Sequence, residues 1–570
     1  MATDLQAARD IQHGLIDETL VPGTVHMVDL DHNLRAKHSK AHQDIVLVPT
    51  PSDDPNDPVG DETIGWMYFS DSQCFQLNWS PRRKNMALVC MCVYVWFTGI
   101  ANSVVYSVLV PLSEALDLTV GDLNAGTGYL FLMAGWGLLF FQPFALQYGK
   151  RPTYLISTAA TLALTMWGPF AKGNGQWIAK NILGGLLASP IEALPEISVA
   201  DIFFAHERGT YMGVYAFALA GSNFFAPVIC GFINEYAGYR WVFYVPSILL
   251  GVAFLFLFFF MEETNYDRST VGVVGEKAAT TVASNAGIAL SEKHPDATDS
   301  PDTGSLEAGK TTYKEKTYLQ RLSLFDHSRK QRMPYRMVLS LRLVTWPVIF
   351  YAGFSYGSYL IWFNVLNATA SIILGGAPYN FSSSMVGLSY LSAMVGVIAA
   401  SLYTGYLSDW MTLKLARRNK GVFEPEQRLW GFALTTIVLP ASLLLWGVGA
   451  ANHVHWFGLI VAMCGTAFSN TAGITLSVNY LVDTYRDISG DGMTTVIIIR
   501  NTMSFAIGYG ITPWLTNLGY QNCFISAAFI GLAASSVFLI MTWKGKSLRE
   551  AYRLKYWALV QKHTDMGMVH

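Results

Sequence analysis

Twelve stretches of this chain are each apolar over the roughly 19 residues that cross about 30 Å of hydrocarbon as a helix, and that leaves it few folds to choose from. They run over 86–111, 124–146, 153–171, 176–200, 210–233, 240–261, 338–366, 384–408, 429–450, 454–482, 492–516 and 520–543. A bilayer interior offers the backbone no hydrogen-bond partner, so a spanning segment is a helix or one strand of a closed barrel. Barrel strands are ten-residue segments of alternating polarity, and these runs are continuously apolar. Hydrophobic residues make up 52% of the chain against 14% charged, with a mean hydropathy of +0.31. The expectation is an all-α membrane protein with twelve transmembrane helices. The first run follows some 85 polar residues and lacks a cleavage-type end, so it reads as a helix and not a signal peptide.

Cations set the orientation. Lys150, Arg151, Arg208, the group Lys314, Lys316, Arg321, Arg329, Lys330, Arg332 and Arg336, then Lys414, Arg417, Arg418, Lys420 and Arg486, and the tail's Lys544, Lys546, Arg549, Arg553 and Lys555 all fall on one side. The opposite loops, among them "GGAPYNFSSS" and "AANHVH", have no Lys or Arg, so both termini are expected in the cytoplasm. Six helices (86–262), a Ser/Thr/Ala/Gly-rich and charged linker (263–337) and six more (338–543) describe two halves, flanked by cytoplasmic tails at 1–85 and 544–570. Parallel repeats of six helices with the substrate site between them are a transporter architecture. The net charge of −2 points to no nucleic acid, and five of the six cysteines lie inside apolar runs without metal-ligand spacing.

Several segments carry a family likeness: "NWSPRRK" before the first run, "SPIEALPEISVADIFFAHERGTYMGVYAFAL" across the fourth and fifth, "GYRWVFYV" and "MEETNYDR" around the sixth, "PEQRLW" before the ninth and "RNTMSFAIGYGITPW" in the eleventh. With these the chain resembles the major facilitator superfamily over about residues 52–545, and within it the fungal twelve-helix drug:proton antiporters and polyamine transporters. That resemblance implies a monomeric carrier in the cell membrane, plasma membrane rather than vacuole, with lipid, protons and a small organic molecule or organic cation as partners. It also marks Val59–Gln76 as an insertion between "PNDP" and "LNWSP". The insert begins with a valine codon and can end in CAG, as a retained intron would; an aromatic segment at the headgroups, with Trp66, Tyr68 and Phe69, is the alternative.

Ionisable side chains inside a membrane are costly and so mark function. Glu192 and Glu196 stand four residues apart in the fourth run, on one face of a helix that Pro190 and Pro195 should kink. Carboxyl groups drawn out of water can trade a proton for an organic cation. Glu192, the deeper, is the expected coupling residue, while Glu196 has a surface network with Asp201, Glu207 and Arg208 as its alternative. Asn102 and Tyr106 midway along the first helix, Tyr356, Tyr359, Trp362 and Asn364 on the seventh and Asn470 and Asn479 on the tenth are candidate lining residues. Interhelical hydrogen bonding explains such residues equally well. Arg500 is a lone intramembrane cation, for a substrate anion or for a carboxylate partner.

The resemblance extends to the machinery. Gly221, Pro227 and Gly231 in "GSNFFAPVICGF" are similar to the antiporter motif, with Asn223 and Phe225 as departures. The loop after the second helix keeps Gly149, Lys150 and Arg151 but has Leu146 where the family has an acid, which implies a weaker cytoplasmic latch than in the second half with Gly405, Asp409, Arg417 and Arg418. Lys180, beside Gly184, takes the place of an arginine. Asn380 and Asn367 are sequons on an expected outer loop. No "GxxxxGK[ST]" occurs, so a proton gradient rather than ATP is expected, with no cofactor and no enzyme chemistry. The function implied is proton-coupled export of a drug-like compound or fungal metabolite; uptake of polyamines or other organic cations is the alternative, and a non-transporting sensor a third.

Overall fold

A computed structural model describes residues 21–26, 79–203, 205–265, 317–324, 332–407, 411, 414–415, 418 and 422–566. The insert at 59–76, most of the linker, and Asp409 and Arg417 lie outside the described residues. The first set of helices is α1 (Pro81–Asn102), α2 (Leu109–Leu116), α3 (Val120–Tyr148), α4 (Lys150–Trp167), α5 (Gly173–Ala188), α6 (Leu194–Ile202), α7 (Ala205–Ala237) and α8 (Trp241–Phe260). After a single turn at Tyr318–Arg321 come α9 (Met333–Leu343), α10 (Pro347–Gly375), α11 (Ser383–Leu402), α12 (Phe432–Ala451), α13 (Trp456–Thr484), α14 (Ser489–Ser536), α15 (Phe538–Ala551) and α16 (Arg553–Asp565).

Ten helices among the described residues are long and apolar enough to cross a membrane. The difference from the twelve apolar runs has two local causes. The short α4 opens on Lys150 and Arg151 and carries Thr153, Thr158, Thr161 and Thr165, which lowers its apolar content. The stretch 486–551 counts once although Gly519, at φ 70 and ψ 171, leaves helical geometry inside α14 and divides it into two rods. Only glycine enters that backbone region without strain.

Two pairs of helices make the largest contacts between the early and late parts of the chain, α3 with α14 and α7 with α11, with smaller ones between α3 and α9 and between α2 and α10. Both pairs meet at small residues. A Cβ added to Gly231 would lie 2.3 Å from the Ser383 carbonyl oxygen, one at Gly387 2.6 Å from that of Pro227, and one at Gly508 3.0 Å from Gly128 Cα. Without side chains to hold them apart, the backbones touch, which is how membrane helices associate where no hydrophobic force drives them together.

Residues 21–26 are docked against the late part of the chain. Val25–His26 forms a two-residue antiparallel pairing with Val422–Phe423, the only strands among the described residues. Gly23, at φ 83, is wedged so that a Cβ would come within 2.8 Å of the Asp483 carbonyl oxygen. Arg549, fully buried, holds the Glu426 carboxylate through Nε at 2.8 Å and Nη2 at 2.6 Å, and its Nη1 donates to the Pro22 carbonyl at 2.7 Å. Breaking a buried ion pair leaves the other charge unmatched, so Arg549→Met should destabilise the chain by about 3–5 kcal/mol. Gly23→Val should release only the strand and cost about 1–3 kcal/mol from forced positive φ. Thermal unfolding of the purified variants checks the order; equal loss from both would mean that Arg549 acts only through the strand.

Side chains of the tail helix α16 reach α9 and the turn that follows α13. Tyr556 donates to Asp487 at 2.5 Å, and the Lys562 ammonium lies 4.7 Å from the centre of the Tyr335 ring. Burial, with Arg336 and Lys562 alongside, pushes the His563 imidazole below its usual value against the pull of Asp491. The tail therefore docks with that ring neutral.

Candidate functional site

Ser189–Glu192 is a short 3-10 turn, and Ala193, at φ −135 and ψ −27, parts it from α6. Pro190 and Pro195 each sit in the first turn of the segment they open, where a missing N–H costs nothing. Glu192 and Glu196 therefore do not share the face of one continuous helix, as their spacing suggested. The break aims Glu192 at the late part of the chain, where it pairs with Arg500 Nη2 of α14. Arg500 Nη1 donates to the Tyr356 hydroxyl of α10, and its guanidinium lies 4.5 Å from the centre of that ring. The side chains of Arg500 and Glu192 are 5% and 13% exposed, so the pair is nearly closed off from solvent.

Glu196 is different. It is half-buried and within Coulombic reach of Arg500 and Glu192, yet it has no hydrogen-bond or ion-pair partner among the described residues. Of the surface network that was its alternative, Asp201 pairs with Lys150, and the side chains of Glu207 and Arg208 lie outside the described residues. Tyr215 of α7, fully enclosed and with an unpartnered hydroxyl, lies within Coulombic reach of both glutamates, Arg500 and Tyr356. The cluster thus holds two carboxylates and one cation. One carboxylate is left for a proton or a cationic ligand, because an unmatched charge is expensive away from water.

The first helix also breaks. α1 ends at Asn102, and a run of turns reaches to Val108, so Asn102 is the last residue of its helix and Tyr106 stands in a gap, neither of them midway along a helix. Within the gap Ser103 donates to Asn223 of α7 at 2.6 Å. Tyr106 and Asn364 line a small cavity, and Asn102 does not. Asn470, on α13, is buried with its amide oxygen unpartnered.

Of the sequons, Asn380 is exposed in the loop between α10 and α11 at φ 49. Asn367 is a correction: it lies inside α10 and is 2% exposed, out of reach of any glycan. The motif residues have firm positions. Gly149, at φ 124, separates α3 from α4 and faces Glu263, whose carboxylate accepts from the Lys150 and Arg151 backbone N–H groups, both at 3.0 Å. A carboxylate there caps the positive end of α4. Arg151 donates to the carbonyls of Leu322 and Phe258. In place of an acid at Leu146, Asp201 and Glu263 supply the carboxylates that hold Lys150 and the first turn of α4. Arg83 and Glu262, from "NWSPRRK" and "MEETNYDR", pair at 2.5 Å beside them. Later in the chain Arg428, just before α12, pairs with Asp483 at the end of α13 at 2.9 Å. Gly405 stands in a π-helical turn with open space where a side chain would go. Lys180 is buried against Trp177 and Phe243, its Nζ 4.9 and 5.8 Å from the ring centres. Gly221 packs on Trp96, and Pro227 and Gly231 form the α7 side of the contact with α11.

Sequence reasoning missed Tyr215, Asn501, whose amide is enclosed with neither atom paired, and Ser504. A signal existed for Ser504, which stands one helical turn past Arg500 and so shares its face. Tyr215 gave none, since a tyrosine in an apolar run is ordinary.

The chain is similar to several known proteins. A protein of Saccharomyces cerevisiae named HOL1 is 27% identical, covering 93% of this chain and 95% of its own, and an MFS-type transporter of Schizosaccharomyces pombe is 27% identical over 96% and 95%. The MFS antiporter QDR3 of Candida albicans is 24% identical over 80% and 78%. Among solved structures, the proton:xylose symporter XylE bound to 6-bromo-6-deoxy-D-glucose superposes with a TM-score of 0.53 at 11% identity, covering 82% of this chain and 96% of that one. The sequence model of the Major Facilitator Superfamily matches residues 91–505. With relatives and fold that are membrane transporters of small substrates and not enzymes, and with a charged cluster enclosed between its early and late helices, this chain belongs to the major facilitator superfamily.

Proposed function

We propose that the protein is a proton-driven exporter of a small organic cation, crossing the plasma membrane twelve times as a monomer with both termini in the cytoplasm. The observation that carries this reading is the unpaired Glu196 beside the Glu192–Arg500 pair. Its carboxylate can be neutralised by a proton or by a cationic cargo, and not by both at once. Competition for one site makes exchange the natural cycle: a proton entering from outside displaces the cation, and the cation leaving to the outside is replaced by a proton. The loaded and protonated states are both neutral at this position and can pass through an apolar barrier, whereas the empty charged state cannot do so cheaply. Glu192, the expected coupling residue, is held by Arg500 and serves to keep the two sets of helices in register. The word antiporter in the name of the Candida relative supports exchange for this chain as well. The contacts at Gly231, Gly387 and Gly508 close the end of the molecule opposite the docked termini, which the proposal makes the outer face.

Glu196→Gln imitates the protonated state at constant size. The variant should reach the membrane at normal abundance and lose proton-driven flux of a fluorescent organic cation in vesicles by about 100-fold, with the pH dependence of any residual exchange flattened. Flux that still follows an imposed pH jump would remove the coupling role from Glu196. Cation uptake driven by an inward proton gradient would reverse the direction.

A further inference from the structure

Beyond the charged cluster, α10 and α14 carry a second set of buried polar atoms with nothing to bond. Asn364 and Asn367 each leave both amide atoms without a partner, and Ser504 leaves its hydroxyl so. Asn364 is 9% exposed, and the other two are more deeply enclosed. All three line one cavity with Tyr106, Asn124 and Gly128. Its volume is about 20 Å³, room for roughly one water, which makes about three hydrogen bonds. Five orphan atoms exceed what one water can satisfy. Buried amides without partners destabilise a fold, and interiors keep few of them unless the group is needed elsewhere.

The roof of this chamber is built to part. Gly508 and Gly128 touch backbone to backbone, and Asn124 donates to Thr512 at a long 3.3 Å. No ion pair among the described residues seals it. Along α14 Ser504 lies one turn beyond Arg500, and along α10 Asn364 lies eight residues beyond Tyr356, about 12 Å at 1.5 Å per residue. The chamber is therefore in line with the charged cluster and displaced toward the outer end.

We propose that the Asn364–Asn367–Ser504 chamber is a second binding subsite that widens when the outer gate opens and takes an uncharged hydrogen-bonding group of the cargo, such as a hydroxyl or amide. The cargo class is then an elongated molecule with a cationic end at Glu196 and a polar end in the chamber. The charged end of this description rests on the proton–cation reading above; the polar end does not.

Binding to the purified full-length chain in detergent, read as concentration-dependent thermal shift, tests it with hexyltrimethylammonium, its terminal-hydroxyl analogue and neutral pentaerythritol. The unmodified chain should prefer the hydroxylated cation by about tenfold. Asn364→Leu and Asn367→Leu should unfold at the same or a higher temperature, as expected when unpaired polar atoms are removed, and lose that preference while still binding hexyltrimethylammonium. Should leucine at 367 prevent folding, Asn364→Leu carries both readouts alone. No preference in the unmodified chain, or equal weakening of both cations by the leucine variants, overturns the subsite. Glu196→Gln should weaken both cations alike and leave pentaerythritol binding, with its dependence on Asn364, unchanged. Pentaerythritol binding that survives while neither cation responds to Glu196→Gln would sink the cation reading and keep the chamber.

Discussion

Replacing Arg500 by leucine should destabilise the protein by about 3–5 kcal/mol and abolish transport, because Glu192 would be left almost closed off from water with no counter-charge. Tyr356 would lose its donor in the same step. The two effects separate in the double variant. Glu192→Gln with Arg500→Leu removes both charges, so thermal stability should return to within about 1 kcal/mol of the parent, since a buried pair can be exchanged for neutral groups at little net cost. Flux should not return. A pair that served stability alone would give a double variant with both properties restored, and full transport in that background would refute the role in holding the helices in register. Unfolding temperature and vesicle flux on the same preparations are the two measurements needed.

Leucine at Gly387 should be nearly as damaging to transport and much less so to folding. The added Cβ alone would meet the Pro227 carbonyl oxygen at 2.6 Å and Val228 Cα at 3.2 Å, both backbone atoms of α7 that no rotamer change can move aside. The α7–α11 contact then cannot close, and the protein is held open at that end. Flux should fall by about 100-fold at normal abundance, an effect on the conformational step and not on binding. A cysteine at Ser384, whose N–H now donates to Glu235 at 3.1 Å, should become several-fold more reactive toward a membrane-impermeant thiol reagent. Gly175→Leu is the control, since an added Cβ at that exposed position meets nothing within 4 Å among the described residues and flux should stay within about twofold. Unchanged reactivity in Gly387→Leu would show that this face does not open.

The two glutamates show how far local reasoning reached. Their cost inside an apolar run singled them out, and Pro190 and Pro195 announced a bend, both properties of a few neighbouring residues. The partner was another matter: Arg500 is 308 positions away, and no spacing rule connects the two. The same limit hid which glutamate is left without a partner, because that depends on where α14 passes. Asn367 failed in the opposite direction. "NAT" is a valid sequon locally, and only the depth of α10 in the bundle removes it from the surface. In the first-half loop the acid missing at Leu146 is likewise replaced from a distance, by Glu263 just after α8 and Asp201 at the end of α6.

Hydropathy by itself determined that the chain is a bundle of membrane helices, because a bilayer forces each apolar run to satisfy its own backbone, residue by residue, and the likeness of its motifs added the major facilitator family. Tertiary structure alone decided where α1 and the α5–α6 pair break, that Tyr215 joins the cluster, that Glu196 is the carboxylate without a partner, and that Gly231 and Gly387 bring α7 onto α11. Those outcomes depend on close packing between segments distant in the chain, where a single missing side chain or one rotated helix changes which charges meet.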